Sequence, residues 1–392
     1  MTTMDTLLTE LIARMRGFID DEVIPREPVL ARDDDTAREA LAGLRARAKE
    51  LGLWALGHPA EVGGGGLPFL DFVYLNEIIG RSEFGQLAVG SVTMQDTIML
   101  HLHGTEEQRR RWIPGLVSGD ILPSVGLTEP EVAGSDPTLI ETRAVPDGDS
   151  WVINGHKWFT TGAEQAAFCT VFARTEPDSA PRHARISAII VPSDTPGFEI
   201  VRSIPTMGHD PSDHYEVRLT DVRVPLDSLL GERGKGFAVA QDRLGAGRIF
   251  HGMRWLGQAQ RAYELMCARA NTRFAHGSLL AEKGEIHRYI AESAAQIHAA
   301  RLMTLDAARA MDAGADYRVR VGLVKFWGAR MLHDVIDRAI QVHGALGLTA
   351  DTPLERMYRQ ARYARVYDGP DEVHRMSTAR RLLRDPGAAP WL

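Results

Sequence analysis

The sequence predicts an α+β protein laid out as helices, then a small sheet, then helices again, and three observations carry that reading. Apolar residues fall at helical spacing from the start to about residue 120. Between about 123 and 231 they fall in short alternating or wholly apolar runs separated by Asp-Gly, Pro-Gly and Pro-Ser turns. After Gly236 the helical spacing returns. Three segments follow: an N-terminal helical domain over 1–122, a central β domain over 123–235 and a C-terminal helical region over 236–392.

Taken in order, Leu7, Leu8, Leu11, Ile12, Met15, Phe18 and Ile19 mark the apolar face of a helix that ends before Pro25. Helical patterns follow around Leu41, Leu44 and Leu51, over 69–79 and over 88–102. Thr105 with Gln108 three residues later is a capping box that opens the next helix. The run Gly63-Gly64-Gly65-Gly66 lacks the Lys-Ser/Thr of a phosphate-gripping loop and reads as a flexible loop. In the middle segment Ile186-Ser187-Ala188-Ile189-Ile190-Val191 is a strand, and Asn154-Gly155 reads as a hairpin turn. The last segment holds long helices over roughly 237–273, 282–313 and 317–346, then a closing pair over about 353–365 and 371–383.

At 392 residues, 44% hydrophobic and 25% charged, the chain is long enough to bury a substantial core without staples. A net charge of −7 with acids and bases interleaved offers no basic stripe for nucleic acid. Cys169 and Cys267, the only cysteines, supply neither a disulfide framework nor a thiolate metal site, which suits a reducing cytoplasm. The 14 histidines include no His-Glu-x-x-His pair, so no metal is expected, and there is no Gly-x-Ser-x-Gly elbow for a hydrolase nucleophile. Met1-Thr2-Thr3-Met4-Asp5 lacks the basic and apolar regions of a targeting signal, and no run of about 18 apolar residues occurs, so neither export nor membrane insertion is expected.

Three segments carry chemistry. Leu127-Thr128-Glu129-Pro130 leading to Gly134-Ser135-Asp136 places a hydroxyl, small residues and free backbone N–H groups where a strand gives way to a turn, permitting close approach of a planar or anionic ligand. His156-Lys157-Trp158-Phe159-Thr160-Thr161 offers aromatic faces for stacking and hydroxyls for a heterocycle's edge, or else a Thr-rich strand with Trp158 or Phe159 in the core. Tyr367-Asp368-Gly369-Pro370-Asp371-Glu372 sets a carboxylate on a Gly-Pro break, either as a base held by a rigid, strained turn or as plain helix-start punctuation.

With Asn154-Gly155-His156-Lys157, Gly231-Glu232, Arg248, Arg273 with Gly277, and 341–347, these motifs run through the chain in the order that resembles the FAD-dependent acyl-CoA dehydrogenase family over essentially the whole length. The resemblance implies a helical N-terminal domain, a β-barrel-like central sheet domain and a C-terminal four-helix bundle. It assigns Leu127 and Thr128 to the flavin's pyrimidine edge and Phe159 and Thr161 to its ring, with Phe159 where many members carry Trp. It assigns Arg273, His276, Gln341 and Gly344 to the FAD of a neighbouring subunit, implying a homodimer or homotetramer, and Pro370 and Glu372 to the same cofactor. Ser135, Arg248, Tyr367 and Gly369 are assigned to the acyl-CoA substrate. Asp368 stands at the catalytic base, where most members carry Glu; desolvation in an apolar cavity is expected to raise its pKa from about 3.9.

The segments 368–374 and 243–249 together resemble one branch, the dehydrogenase domain of fused kinase–dehydrogenase proteins, associated with 4-hydroxyacyl-CoA and phosphorylated acyl chains. The implied electron acceptor is an electron-transferring flavoprotein. Two other readings stay open at this stage. A nitroalkane oxidase shares this fold and also uses Asp as base, and an adaptor of the same fold retains only a vestigial flavin.

Overall fold

A computed structural model describes residues 3–208 and 212–389; Met1 and Thr2 of the N-terminal stretch read for a targeting signal, and the last residues of the C-terminal segment, lie outside the described residues. The helices are α1 Thr3–Gly17, α2 Glu27–Leu30, α3 Asp35–Glu50, α4 Phe69–Ile79, α5 Gly85–Ala88, α6 Met94–His103, α7 Glu106–Ser118, α8 Gly236–Thr272, α9 Gly284–Asp312, α10 Arg318–His343, α11 Leu354–Tyr363 and α12 Asp371–Arg384. The strands are β1 Leu122–Gly126, β2 Arg143–Asp147, β3 Ser150–Thr161, β4 Ala166–Arg174, β5 Ile186–Pro192, β6 Phe198–Ser203, β7 His214–Pro225, β8 Leu229–Leu230, β9 Phe274–Ala275 and β10 Ser278–Leu279. The helix–sheet–helix order expected from the periodicity is the order observed. Two compact units divide the chain, one of 1–56, 67–89 and 245–392, the other of 57–66 and 90–244.

The first unit is helical apart from the β9–β10 hairpin. Met15, Phe18 and Ile19 of the expected apolar face are buried, and α1 runs into a π-helical turn, Phe18–Val23, where Pro25 ends the regular ladder. Arg81, nearly buried, donates to Asp20 at 2.7 Å and to Glu264 at 2.7 Å, tying the end of α1 to α8. Phe250 on α8 packs edge-on against Phe72 of α4 at 5.5 Å. The pattern read as one helix over 88–102 is broken, because Gly90 takes φ +69 and separates α5 from α6.

The second unit is built on the sheet, in strand order β6-β7-β3-β2-β4-β5-β8, with β1 paired in parallel to β4. Ile153, Val171, Ala173, Ile189, Val191, Val217 and Val222 fill its core by period-two alternation. The Thr105–Gln108 capping box forms on α7 as expected.

Two local readings are corrected. Asn154-Gly155 is not a hairpin turn; both residues lie inside β3, where the register against β7 shifts between Ile153 and Gly155. Asn154 instead donates to the Asp221 carboxylate at 3.0 Å and accepts the Asp221 N–H at 2.8 Å, and a Cβ at 155 would stand 2.2 Å from Thr142 Oγ1. Glycine is there for close strand approach. The Gly63–66 run is likewise a packed turn: Gly66 N–H donates to the His58 carbonyl at 2.9 Å, and a Cβ on Gly64 would stand 2.3 Å from the same carbonyl oxygen. No described helix is long and apolar enough to cross a membrane.

Candidate active site

The Gly-Pro break between α11 and α12 forces the backbone into the left-handed region twice in succession, at Asp368 (φ +55) and Gly369 (φ +97). For a non-glycine residue that conformation costs about 1–2 kcal/mol and persists only if its surroundings hold it. Here they do. The Asp368 carbonyl accepts from Arg248 Nε at 3.1 Å and from His374 Nε2 at 3.0 Å. Lys325 donates to the carbonyls of Ala364 at 2.7 Å and Gly369 at 3.3 Å. A Cβ at 369 would stand 2.8 Å from His374 Nε2, so the turn requires glycine for space as well as for φ. Asp371, buried at the start of α12, accepts from Arg365 at 2.8 Å and closes the turn from behind. The turn is strained at Asp368, and the Gly-Pro break also starts α12, with Pro370 at the N-cap position and no side-chain cap bond.

The Asp368 side chain points at a stripe of polar residues on α8. Its Oδ2 lies 3.2 Å from His251 Nε2, and His251 Nδ1 lies 2.8 Å from Arg254 Nη2. Because arginine can only donate, Nδ1 must accept, so the proton of the neutral ring sits on Nε2 and points at the carboxylate. Burial, then the Arg254 charge, lower the His251 pKa to about 4. Tyr367, beside the imidazole at 4.7 Å between ring centroids, accepts from Trp255 Nε1 at 2.7 Å, and burial lifts its phenol above the ordinary value.

The expected rise in the Asp368 pKa is not found. Burial does push it up, but the His251 contact and the Arg248 and Lys325 charges outweigh burial and hold the carboxyl below the ordinary carboxylate range. As the imidazole is neutral above about pH 4, it acts at neutral pH through its hydrogen bond, leaving the cations to supply the charge–charge part. An apolar cavity alone would raise the pKa; the cations on α8 and α10 reverse the sign.

In the sheet unit, β3 ends in an exposed aromatic group. Phe159, at φ +49 and 43% exposed, lies edge-on to Trp158 at 5.0 Å and tilted on His214 at 5.5 Å. The alternative that Trp158 or Phe159 fills the core fails, since Lys157 and Thr160 are the buried residues there. Thr161 shares a 2.9 Å hydrogen bond with His214 Nδ1. Thr128 donates its hydroxyl proton to the Trp158 carbonyl at 2.9 Å, so toward any ligand it can only accept. The Leu127 carbonyl accepts from buried Lys157 at 3.1 Å. A small cleft is lined by Leu127, Thr128, Val132, Ala133 and Gly134, and a Cβ at 134 would stand 2.9 Å from Thr128 Cγ2. An exposed ring, two hydroxyls and a small-residue loop form a set of groups that fits a flat heterocycle with a polar edge.

The remaining residues singled out from sequence fall as follows. Ser135 is exposed in the loop after β1. Arg273 and His276 are exposed around the β9–β10 hairpin, whose tip is His276 (φ +49) and Gly277 (φ +83). Gln341 and Gly344 are exposed at the end of α10, with Gly344 at φ +64. Pro370 precedes α12, and Glu372 is exposed in its first turn. Four residues of the carboxylate's setting were missed: His251, Arg254, Lys325 and His374. The first two had a readable signal, since Arg248, His251 and Arg254 recur every three residues along an otherwise apolar helix face.

Comparison with known proteins agrees with this layout. Models of the N-terminal, middle and C-terminal domains of acyl-CoA dehydrogenase match residues 8–120, 124–222 and 234–383. The chain is 45% identical over 390 residues to the probable acyl-CoA dehydrogenase FadE2 of Mycobacterium tuberculosis, covering 97% of this chain and 94% of that protein. It is 36% identical over 395 residues to acyl-CoA dehydrogenase family member 11 of Homo sapiens, covering 96% of this chain but 50% of that protein, so it spans about half that relative's length. The acyl-CoA dehydrogenase of Bacillus anthracis solved in complex with FAD superposes with a TM-score of 0.86 at 27% identity, over 99% of this chain and 70% of that one. The chain belongs to the acyl-CoA dehydrogenase family.

Proposed function

We propose that the protein is a flavin-dependent dehydrogenase that removes the α-proton of an acyl-CoA thioester with Asp368. The observation that carries this reading is the carboxylate itself: it is held at φ +55, one oxygen is engaged by His251, and Oδ1 has no hydrogen-bond partner among the described residues. A base so fixed meets one particular proton. FAD, when bound, supplies the acceptor for the β-hydride. Leu127, Thr128, Phe159 and Thr161 would hold its ring, and Arg273, His276, Gln341, Gly344, Pro370 and Glu372 its remaining parts, some of them from a neighbouring subunit of a homodimer or homotetramer. Ser135, Arg248, Tyr367 and Gly369 would contact the acyl-CoA, and an electron-transferring flavoprotein would take the electrons onward.

As the α C–H bond breaks, its proton goes to Asp368 Oδ1 and its electron pair forms the α,β double bond while hydride leaves the β-carbon. Asp368 begins as an anion at any neutral pH, since its pKa is held low. A carboxylate stabilised in this way is a weak base, and displacement of water by the acyl chain strengthens it.

One observation favours an anionic substituent on the acyl chain. Arg248, Arg254 and Lys325 all act electrostatically on the turn, where Asp368 is the carboxylate common to all three and Asp371 also acts on Lys325. An excess of buried cations favours a partner of opposite charge, which suits a 4-phosphoacyl thioester and the branch resemblance; a 4-hydroxy or plain saturated chain would use the same base. The test is the visible spectrum of the purified flavoprotein without oxygen, before and after adding saturated, 4-hydroxy and 4-phospho acyl-CoAs. Bleaching by one class names the substrate. Asp368→Asn should keep its flavin and lose bleaching by at least on the order of a thousandfold, and a normal rate in that variant removes Asp368 from the role of base.

A further inference from the structure

We propose that His251, fixed by Arg254, is a positioning residue that selects Asp368 Oδ1 as the oxygen that takes the proton, an inference that rests on Asp368 being the base. The chain of contacts has one direction. Arg254 Nη2 donates to His251 Nδ1 at 2.8 Å, so the ring presents Nε2–H, and Nε2 lies 3.2 Å from Asp368 Oδ2. The carboxylate cannot rotate without giving up that bond, which leaves Oδ1 as its one uncommitted oxygen among the described residues. Arg248 and His374 already use the Asp368 carbonyl, so they fix the backbone while His251 alone holds the side chain.

The groups facing His251 keep it in this form. From its own helix comes Arg254, from α10 Lys325, and from the 367–374 segment Tyr367 and Asp368. Cations predominate among them, and a cationic ring is disfavoured beside them. A neutral imidazole also has no second proton to pass to the carboxylate, so Asp368 stays ionised before substrate arrives. The Arg254–His251 pair therefore aligns the base without neutralising it.

The test needs one spectroscopic and two kinetic measurements. In the 15N-histidine NMR spectrum of the wild-type protein, the resonance lost in His251→Gln should report an Nε2-protonated ring from about pH 5 to about pH 9; a ring that titrates near the ordinary histidine value of about 6.5, or one protonated on Nδ1, overturns the inference. His251→Phe should lower kcat on the order of ten- to a hundredfold with little change in KM. Its acidic limb should move to higher pH, because the carboxylate loses a hydrogen bond that lowers its pKa. His251→Gln, which keeps a donor, should recover much of the loss. Wild-type kcat and pH profile in His251→Phe, with Asp368→Asn inactive, overturn the positioning role alone; normal turnover in Asp368→Asn overturns the base assignment and this inference with it.

Discussion

Lys157 and Lys325 are both buried lysines, 1% and 0% exposed, yet they are finished in different ways. Lys157, on β3, places its three protons on Glu129 Oε1 at 2.8 Å, the Phe172 carbonyl at 2.8 Å and the Leu127 carbonyl at 3.1 Å. Glu129 in turn accepts from the N–H groups of Glu141 at 2.6 Å and Thr142 at 2.9 Å, so every charge is met by an opposite charge or a dipole. Lys325, on α10, has two carbonyls and the faces of Trp255 at 5.3 Å and Tyr367 at 5.1 Å, with no carboxylate in contact among the described residues. Burial lowers its pKa to about 8, against the opposing pull of Asp368 and Asp371. The closed network is scaffolding for the 127–129 segment. The open one leaves positive charge to act on the Asp368 turn, which is what a reacting site requires and a scaffold does not.

The sharpest way to break this contrast is Lys157→Met. It leaves Glu129 as a buried carboxylate without its counter-charge and the Phe172 and Leu127 carbonyls without that donor, a loss of about 3–5 kcal/mol. The unfolding midpoint in denaturant should fall accordingly, and flavin content should fall with it, because Leu127 and Thr128 lose their support. A variant that is as stable as wild type would show that the network is not closed in the way described.

Lys325→Met should cost less, about 1–3 kcal/mol, because only two carbonyls lose a donor and no partner charge is stranded. Its signature lies in pH dependence. Lysine has its ordinary pKa of about 10.4 in the unfolded chain and about 8 in the folded one, so between those values the unfolded chain binds more protons. Wild-type stability should therefore gain from Lys325 as pH rises through that window, and the variant should lose that gain. It should also raise the pKa of Asp368 by removing a cation, moving the acidic limb of kcat upward. An unchanged limb would mean that Lys325 serves only the turn's backbone.

How much of this was legible in the sequence differs between the two lysines in the same way. Lys157 stands in a motif that was singled out, but for its aromatics; that the lysine is the buried member, and Phe159 the exposed one, depends on the bulges of β3, which periodicity does not register. Lys325 stands in an apolar helical run, Val321-Gly322-Leu323-Val324-Lys325-Phe326, and such a residue can equally snorkel to solvent. The helix, sheet and helix order was readable because burial repeats every 3.6 or two residues. The carboxylate turn was readable because Gly-Pro is strong local punctuation. The low pKa of Asp368 was not, since it comes from Arg248, His251 and Lys325 at sequence separations that no local pattern connects.

The smallest effect expected at neutral pH, and the finest test of the open network, is His374→Gln. His374 has its pKa lowered to about 4, first by burial and then by Arg248 and Lys325, against the favourable bond to the Asp368 carbonyl. Unfolded histidine titrates near 6.5, so between about 6.5 and about 4 the unfolded chain binds the extra proton and stability falls as pH falls. Above that window both states hold a neutral ring and His374 contributes no pH dependence. Glutamine keeps a donor for the carbonyl and removes the titration, so thermal stability at pH 7 should change little while the acid slope becomes shallower. His251, displaced to about 4 as well, should supply part of the slope that remains, together with His58 and His333, whose pKa values burial also lowers. An acid slope that stays unchanged in His374→Gln would place the proton uptake on other groups and remove His374 from the acid dependence.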